Sequence, residues 1–175
     1  LAGFVALAPD FLSPRGGTPD DPDAARDLIG KLDPAETVAN AVAAVAYLQG
    51  HEVGNGRAGA VGFCWGGALA NQAAVNAPGL GAAVAFYGRQ PSAEETARIK
   101  APVMLHYAGL DTRINAGIAE YEAALNASGV DYTLYMYEGV NHAFHNDSSA
   151  ERYDQAAAEL AWSRTIAFFR EKLAG

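Results

Sequence analysis

Short apolar runs alternate with stretches of helical spacing along the chain. Phe4 to Ala8 is apolar and stops at Pro9-Asp10; Arg57 to Phe63 is a glycine-rich run; Gly81 to Tyr87 ends at Gly88. Val103 to Ala108 opens after Pro102 and closes at Gly109, and Tyr132 to Tyr137, rich in aromatics, ends before Gly139. Runs this short and this continuously apolar predict strands of a sheet covered on both faces. Between them, Asp33-Pro34-Ala35-Glu36 reads as a capping box with proline in the first turn. Val38, Ala41, Val42, Val45 and Leu48 follow at helical spacing. A second helix is predicted from Cys64 or Trp65 to Ala77, where Pro78-Gly79 stops it. A third follows Asn115, with Ile118, Tyr121 and Leu125 on one face and Gly129 as terminator. The last runs from Ala150 to Leu173.

Strand and helix in alternation predict an α/β domain with a mostly parallel sheet and helices on both faces. The 175 residues suffice for one such domain, spanning 1–175, and not for two. Residues 11–33 break the pattern. Ser13-Pro14-Arg15-Gly16-Gly17-Thr18-Pro19 and Asp20-Asp21-Pro22 are loop chemistry, and a long loop after a strand is expected to form a site wall.

Composition narrows the function classes. Half the residues are hydrophobic and 18% are charged, so the chain has a core and no disorder signature. The net charge of −8 without a basic cluster argues against nucleic acid or an anionic membrane as partner. One cysteine allows no internal disulfide, and with four histidines it offers no thiolate-type zinc spacing. No metal or cofactor is expected. No apolar run is long enough to span a bilayer and no signal peptide is visible, so a cytoplasmic location is expected. A homo-oligomer is left open.

In an α/β sheet ligands bind beyond the carboxyl ends of the strands. After the run at 57–63 comes Gly62-Phe63-Cys64-Trp65-Gly66-Gly67. A nucleophile on a sharp strand-to-helix turn needs small neighbours, and the free N–H groups of the helix start favour the thiolate. The Trp65 amide is positioned to donate to an oxyanion. Asp111 follows the fourth run and His142 the fifth, giving the order nucleophile, acid, histidine. Each residue also has a plainer reading: Cys64 as a buried small hydrophobe, Asp111 as a helix cap, and His145 as the base in place of His142. His106, mid-strand, reads as a core or wall histidine, and His51 as a helix-end cation.

The segments Gly62–Gly67, Ala85-Phe86-Tyr87-Gly88, His106–Asp111, Tyr137–Phe144 and Ala6–Leu12 together resemble the dienelactone hydrolases (carboxymethylenebutenolidases) over almost the whole chain. The resemblance implies an α/β-hydrolase fold and a Cys-His-Asp triad, Cys64, His142 and Asp111, that hydrolyses the ester of an unsaturated lactone. It implies that Arg15 holds a substrate carboxylate and that Tyr87 stands near the pocket. Two departures stand out. Ala143-Phe144-His145-Asn146-Asp147 lacks the family's second basic residue, which opens the way to a different ester or lactone. The family's N-terminal strands, with the loop that supplies a glutamate and the second oxyanion amide, have no counterpart here. One of those strands separates the runs at 4–8 and 57–63. A gap in the sheet is therefore expected, to be filled by an upstream segment, rearranged pairing or another copy. The expected partner is a small-molecule ester or lactone. The alternatives are a catalytically silent binding domain, or a thioesterase or general carboxylesterase on the same triad.

Overall fold

A computed structural model describes residues 2–174. A 3₁₀ turn at Ser13–Arg15 comes first, then α1 (Pro22–Ile29), α2 (Pro34–Gln49), β1 (Gly59–Phe63) and α3 (Trp65–Asn76). There follow β2 (Ala82–Phe86), α4 (Ala93–Thr96), β3 (Val103–Ala108), α5 (Thr112–Asn115), α6 (Ile118–Ala127), β4 (Tyr132–Tyr137) and α7 (Gln155–Leu173). The four strands pair in parallel in the order β1-β2-β3-β4.

Alternate residues of the central strands serve opposite layers, as the two-residue strand period requires. On one face Ala83, Ala85, Val103, Leu105 and Tyr107 pack with Val45 of α2, Ala73 of α3, and Tyr121 and Leu125 of α6. On the other, Ala82, Val84, Phe86 and Met104 pack with Ala157, Ala161 and Phe168 of α7. Every residue of β2 and β3 is buried, which is why neither run alternates between apolar and polar positions, His106 being the exception in β3.

Local chemistry sets the helix ends. Asp33 caps α2 by accepting from the Glu36 N–H at 2.8 Å, with Pro34 in the first turn, a cap worth about 1 kcal/mol. Among the described contacts only this half of the expected box forms. A reciprocal capping box occurs instead at Ser92 and Glu95, on the unforeseen α4. Gly129, at φ 64°, follows the end of α6 as expected.

Three expectations are corrected. Residues 4–8 run alongside the sheet without pairing as a strand, and they are exposed rather than buried. They are tethered through Phe4, whose ring lies 6.2 Å from that of Phe169, and through the Ala2 carbonyl, which accepts from Arg170 at 3.4 Å. Residues 11–33 are not all loop, because Asp21 caps α1 with Pro22 at its start, the same signature as at α2. The last helix begins at Gln155, where Asp154 caps it through the Ala157 N–H, not at Ala150.

The expected gap in the sheet is present. The outer edge of β1 carries no strand among the described residues. Between it and residues 2–7 lies an apolar cavity of about 800 Å³, lined in part by Val5, Leu7, Val61, Leu69 and Phe169.

A buried polar chain ties α7 to the sheet. Arg164 donates to the Tyr137 hydroxyl at 3.1 Å, and that hydroxyl lies 2.9 Å from His106 Nδ1. His106 Nε2 is 3.1 Å from Thr165 Oγ1, which donates to the Ala161 carbonyl at 2.9 Å. Because the Thr165 proton is already used, Nε2–H donates and Nδ1 accepts, so the ring is neutral and fully satisfied. Burial drives its pKa from 6.5 down to about 3. A depressed folded-state pKa contributes stability that is complete above pH ~6.5 and is lost as pH falls toward ~3. Urea unfolding from pH 7 to 4 should therefore show a loss on the order of 4 kcal/mol or less from this group, and His106→Gln should flatten that slope. Parallel slopes for the two proteins would contradict the assignment.

Candidate active site

The turn after β1 is built by close backbone approach. Cys64 takes φ 56° and ψ −116°, outside the regions an L-residue normally occupies. Its amide is held by the Phe86 carbonyl of β2 at 3.0 Å, and its carbonyl accepts from Ala68 N–H at 3.1 Å. A Cβ at position 62 would lie 1.8 Å from the Gly66 carbonyl oxygen, one at 67 would lie 2.6 Å from the Phe86 oxygen, and one at 88 would lie 2.3 Å from the Gly67 carbonyl carbon. A Cβ at Gly66 would meet nothing within 4 Å. Gly62, Gly67 and Gly88, rather than Gly66, let β1, α3 and the end of β2 close on one another.

Strand ends bring the partners in. Cys64 Sγ lies 3.0 Å from His142 Nε2, and His142 Nδ1 is hydrogen-bonded to Asp111 Oδ2. Asp111 is buried, and its second oxygen accepts from Ile114 N–H at 3.2 Å, so it caps α5 and orients the imidazole at once. The cap reading of Asp111 holds, and the same side chain also bonds His142. The hydrogen bond with His142 holds the Cys64 thiol below its ordinary range, against the opposing effect of burial; the Trp65 N–H and the charge of Arg113 act in the same direction. The bond with Cys64 raises His142, with Asp111 adding to it and burial opposing. Both shifts favour a thiolate beside an imidazolium.

The other anticipated residues divide. Trp65 N–H is at the sulfur, and the indole is 40% exposed beside it. Tyr87 is buried, at φ 38°, with its ring 4.9 Å from that of His142. It walls the histidine rather than standing free to meet a ligand. Arg15 is held elsewhere than at the sulfur in every contact described. It donates to the Lys31 carbonyl at 3.3 Å and lines a shallow pocket with Phe11, Glu36 and Asn40. His145 packs 5.1 Å from Phe63 and 5.7 Å from Trp162, while His142 takes the position next to sulfur. His51 stacks edge-on with Tyr47 at the end of α2. Among the described residues no group of histidine, cysteine and carboxylates could hold a metal ion, and no helix is long and apolar enough to cross a membrane.

A parallel sheet covered on both faces, with a sharp nucleophile-type turn at one strand end and an acid and a histidine at two others, defines an α/β-hydrolase-type protein. The dienelactone hydrolase family matches residues 1–173. The usf protein of Aquifex pyrophilus is 34% identical over 98% of this chain and 76% of its own length. The probable 2-oxo-3-(5-oxofuran-2-ylidene)propanoate lactonase of a Bradyrhizobium species is 33% identical over 99% of this chain and 75% of its own. A Klebsiella pneumoniae crystal structure described as a dienelactone hydrolase superimposes with a TM-score of 0.76 at 27% identity, covering 87% of this chain and 68% of that one. The chain belongs to the dienelactone hydrolase family and is an enzyme of the carboxylic-ester hydrolase class.

The glycine geometry separates two substitutions that look alike in sequence. Gly62→Ala forces a Cβ against backbone and should cost about 4 kcal/mol or more, or prevent folding. Gly66→Ala, in open space at a helix start, should stay within about 1 kcal/mol of the parent. Urea denaturation of both variants measures the contrast, and equal costs would refute it.

Proposed function

We propose that the chain hydrolyses a carboxylic ester or lactone through Cys64, His142 and Asp111. The 3.0 Å contact of Cys64 Sγ with His142 Nε2, backed by buried Asp111, carries this reading. The thiolate attacks the carbonyl carbon, and the electron pair of the C=O bond moves to oxygen, where the Trp65 N–H donates. The tetrahedral species collapses, the C–O bond breaks, and His142 gives its proton to the departing oxygen. The neutral imidazole then takes a proton from water as that water attacks the thioester, which releases the acid and restores the thiolate–imidazolium pair. Asp111 keeps the ring in the required tautomer throughout. Relatives named carboxymethylenebutenolidases and a lactonase support an ester or lactone as substrate.

A silent binding domain would have no need of the strained turn at Cys64 or of the polarised pair. Cys64→Ala should lower turnover of an aryl ester or dienelactone by about a thousandfold or more with unchanged melting. The pH dependence has a definite sign. Because the Cys64 thiol is lowered and His142 raised, iodoacetamide should alkylate Cys64 rapidly below pH ~8.5, the ordinary thiol value. His142→Ala should move the profile back up toward it. Full activity in the alanine variant, or an ordinary thiol profile in the parent, would sink the reading.

A further inference from the structure

The turn that carries Asp111 closes into a ring. β3 ends at Ala108, whose carbonyl accepts from the Asp111 N–H at 3.1 Å and from Asn115 Nδ2 at 2.8 Å. The Asn115 N–H in turn donates to the Asp111 carbonyl at 2.9 Å. Asn115 is thus bonded on both sides of the acid, by its backbone to Asp111 itself and by its side chain to the strand end before it. A longer contact, 3.5 Å, reaches the Gly109 carbonyl. Chemistry fixes the orientation of the amide, since the flipped form would set Oδ1 against two carbonyl oxygens.

Other bonds hold other parts of the turn. Gln90 donates to the Ile114 carbonyl at 3.1 Å, and the Leu110 N–H donates to the Val140 carbonyl at 3.1 Å. Helix α5 has four residues, too few to be stable by itself, so its direction comes from such bonds. The Asn115 side chain is the bond that sets α5 against the end of β3, and with it the Asp111 carboxylate against His142.

Two features set this side chain apart from ordinary packing. Its Oδ1 is buried and has no hydrogen-bond partner among the described residues. An unpaired buried acceptor opposes folding, so stability alone favours an apolar residue at this position. The Ala108 carbonyl, moreover, would keep the Asp111 N–H without it. The amide is costly to the fold and dispensable to the strand end; what it fixes is the turn of the acid.

We infer that Asn115 is a positioning residue, which holds Asp111 in line with His142 by clasping the end of β3. It acts through Asp111 and bonds neither sulfur nor imidazole among the described contacts. The inference rests on the hydrolase reading and adds to it a residue outside the set of Cys64, His142 and Asp111.

Asn115→Leu removes the clasp, keeps the volume and leaves the charge unchanged; Asn115→Ala serves as a second variant should leucine not be accommodated. The measurement is the pH profile of Cys64 alkylation by iodoacetamide, in which Sγ bonds to the methylene carbon as iodide leaves with the C–I electron pair. Asp111 raises His142, and the hydrogen bond with His142 holds the thiol down. In either variant the midpoint should move up by about one pH unit toward the ordinary thiol value, the size expected if the Asp111–His142 bond is weakened rather than lost. The melting temperature should stay within about 4 °C of the parent. Arg113, on the same turn, is the other charge acting on Cys64, so the shift should persist when Asn115→Leu is made in an Arg113→Gln protein. Asn126→Ala, which breaks a side-chain amide bond to Tyr132 on α6, should leave the profile alone. A parent-like profile in Asn115→Leu, or a shift that vanishes with Arg113→Gln, would overturn the inference and leave the hydrolase reading standing. A parent that itself shows an ordinary thiol profile would overturn both.

Discussion

Cys64 is held at a positive φ that no non-glycine residue adopts without compensation, and the rest of the site is arranged around keeping it there. The compensation is backbone contact. The Phe86 carbonyl accepts from the Cys64 amide, and Gly62, Gly67 and Gly88 remove the three Cβ atoms that would keep β1, α3 and the end of β2 apart. Strain of this kind costs roughly 1–3 kcal/mol and persists only where the surroundings over-determine it. Here they do, and the sulfur is lifted toward His142 rather than folded into the core.

That placement gives the electrostatics their direction. A lone cysteine buried among apolar groups would have its thiol raised; Cys64 is lowered because the hydrogen bond with His142 outweighs burial. His142 is raised by the same contact, while Asp111 spends one oxygen on the imidazole and the other on the α5 amide. His106 shows the opposite outcome on the same sheet. It is fully buried and satisfied by a hydroxyl on each nitrogen, and it stays neutral. Two histidines on one scaffold differ because one faces a thiol and a carboxylate that raise it, whereas burial lowers the other, which has only hydroxyls as hydrogen-bond partners.

Much of this was legible in the sequence, and the boundary of legibility has physical causes. The runs at 81–87 and 103–108 read correctly because strands covered on both faces leave almost no polar positions to blur them, and the run at 132–137 because its aromatic residues favour a strand even at the half-buried edge. Cys64, Asp111 and His142 could be named as candidates because strand ends are where this fold class places chemistry, and the structure brings the three side chains together. The segment Phe4–Ala8 misled because an apolar run states a propensity, whereas a strand needs a hydrogen-bonding neighbour, and among the described residues none pairs with it. Helix α1 was hidden by its own cap, since Asp21-Pro22 reads as a turn as readily as a helix start. Gly66 and Gly67 cannot be told apart without knowing which one faces Phe86. Arg15 was singled out by the family resemblance, but where an exposed arginine bonds depends on the acceptors within its reach, here the Lys31 carbonyl.

The open edge of β1 poses a mechanical question, because Cys64 sits at the end of that strand. Val61 and Phe63 expose 40% and 37% of their surface, and an apolar cavity separates β1 from residues 2–7. An edge strand with an uncovered side is ordinarily a weak foundation. Cys64, however, takes its position from the inner side. Its amide bonds to β2, its turn closes against Gly67 and Gly88, and Tyr87 at the end of β2 packs against His142. Because β2 and β3 are buried throughout, sulfur, imidazole and carboxylate are all referenced to the stiffest part of the sheet. Whatever covers the outer edge of β1 therefore governs stability and the shape of the site's open side more than the mutual geometry of Cys64, His142 and Asp111.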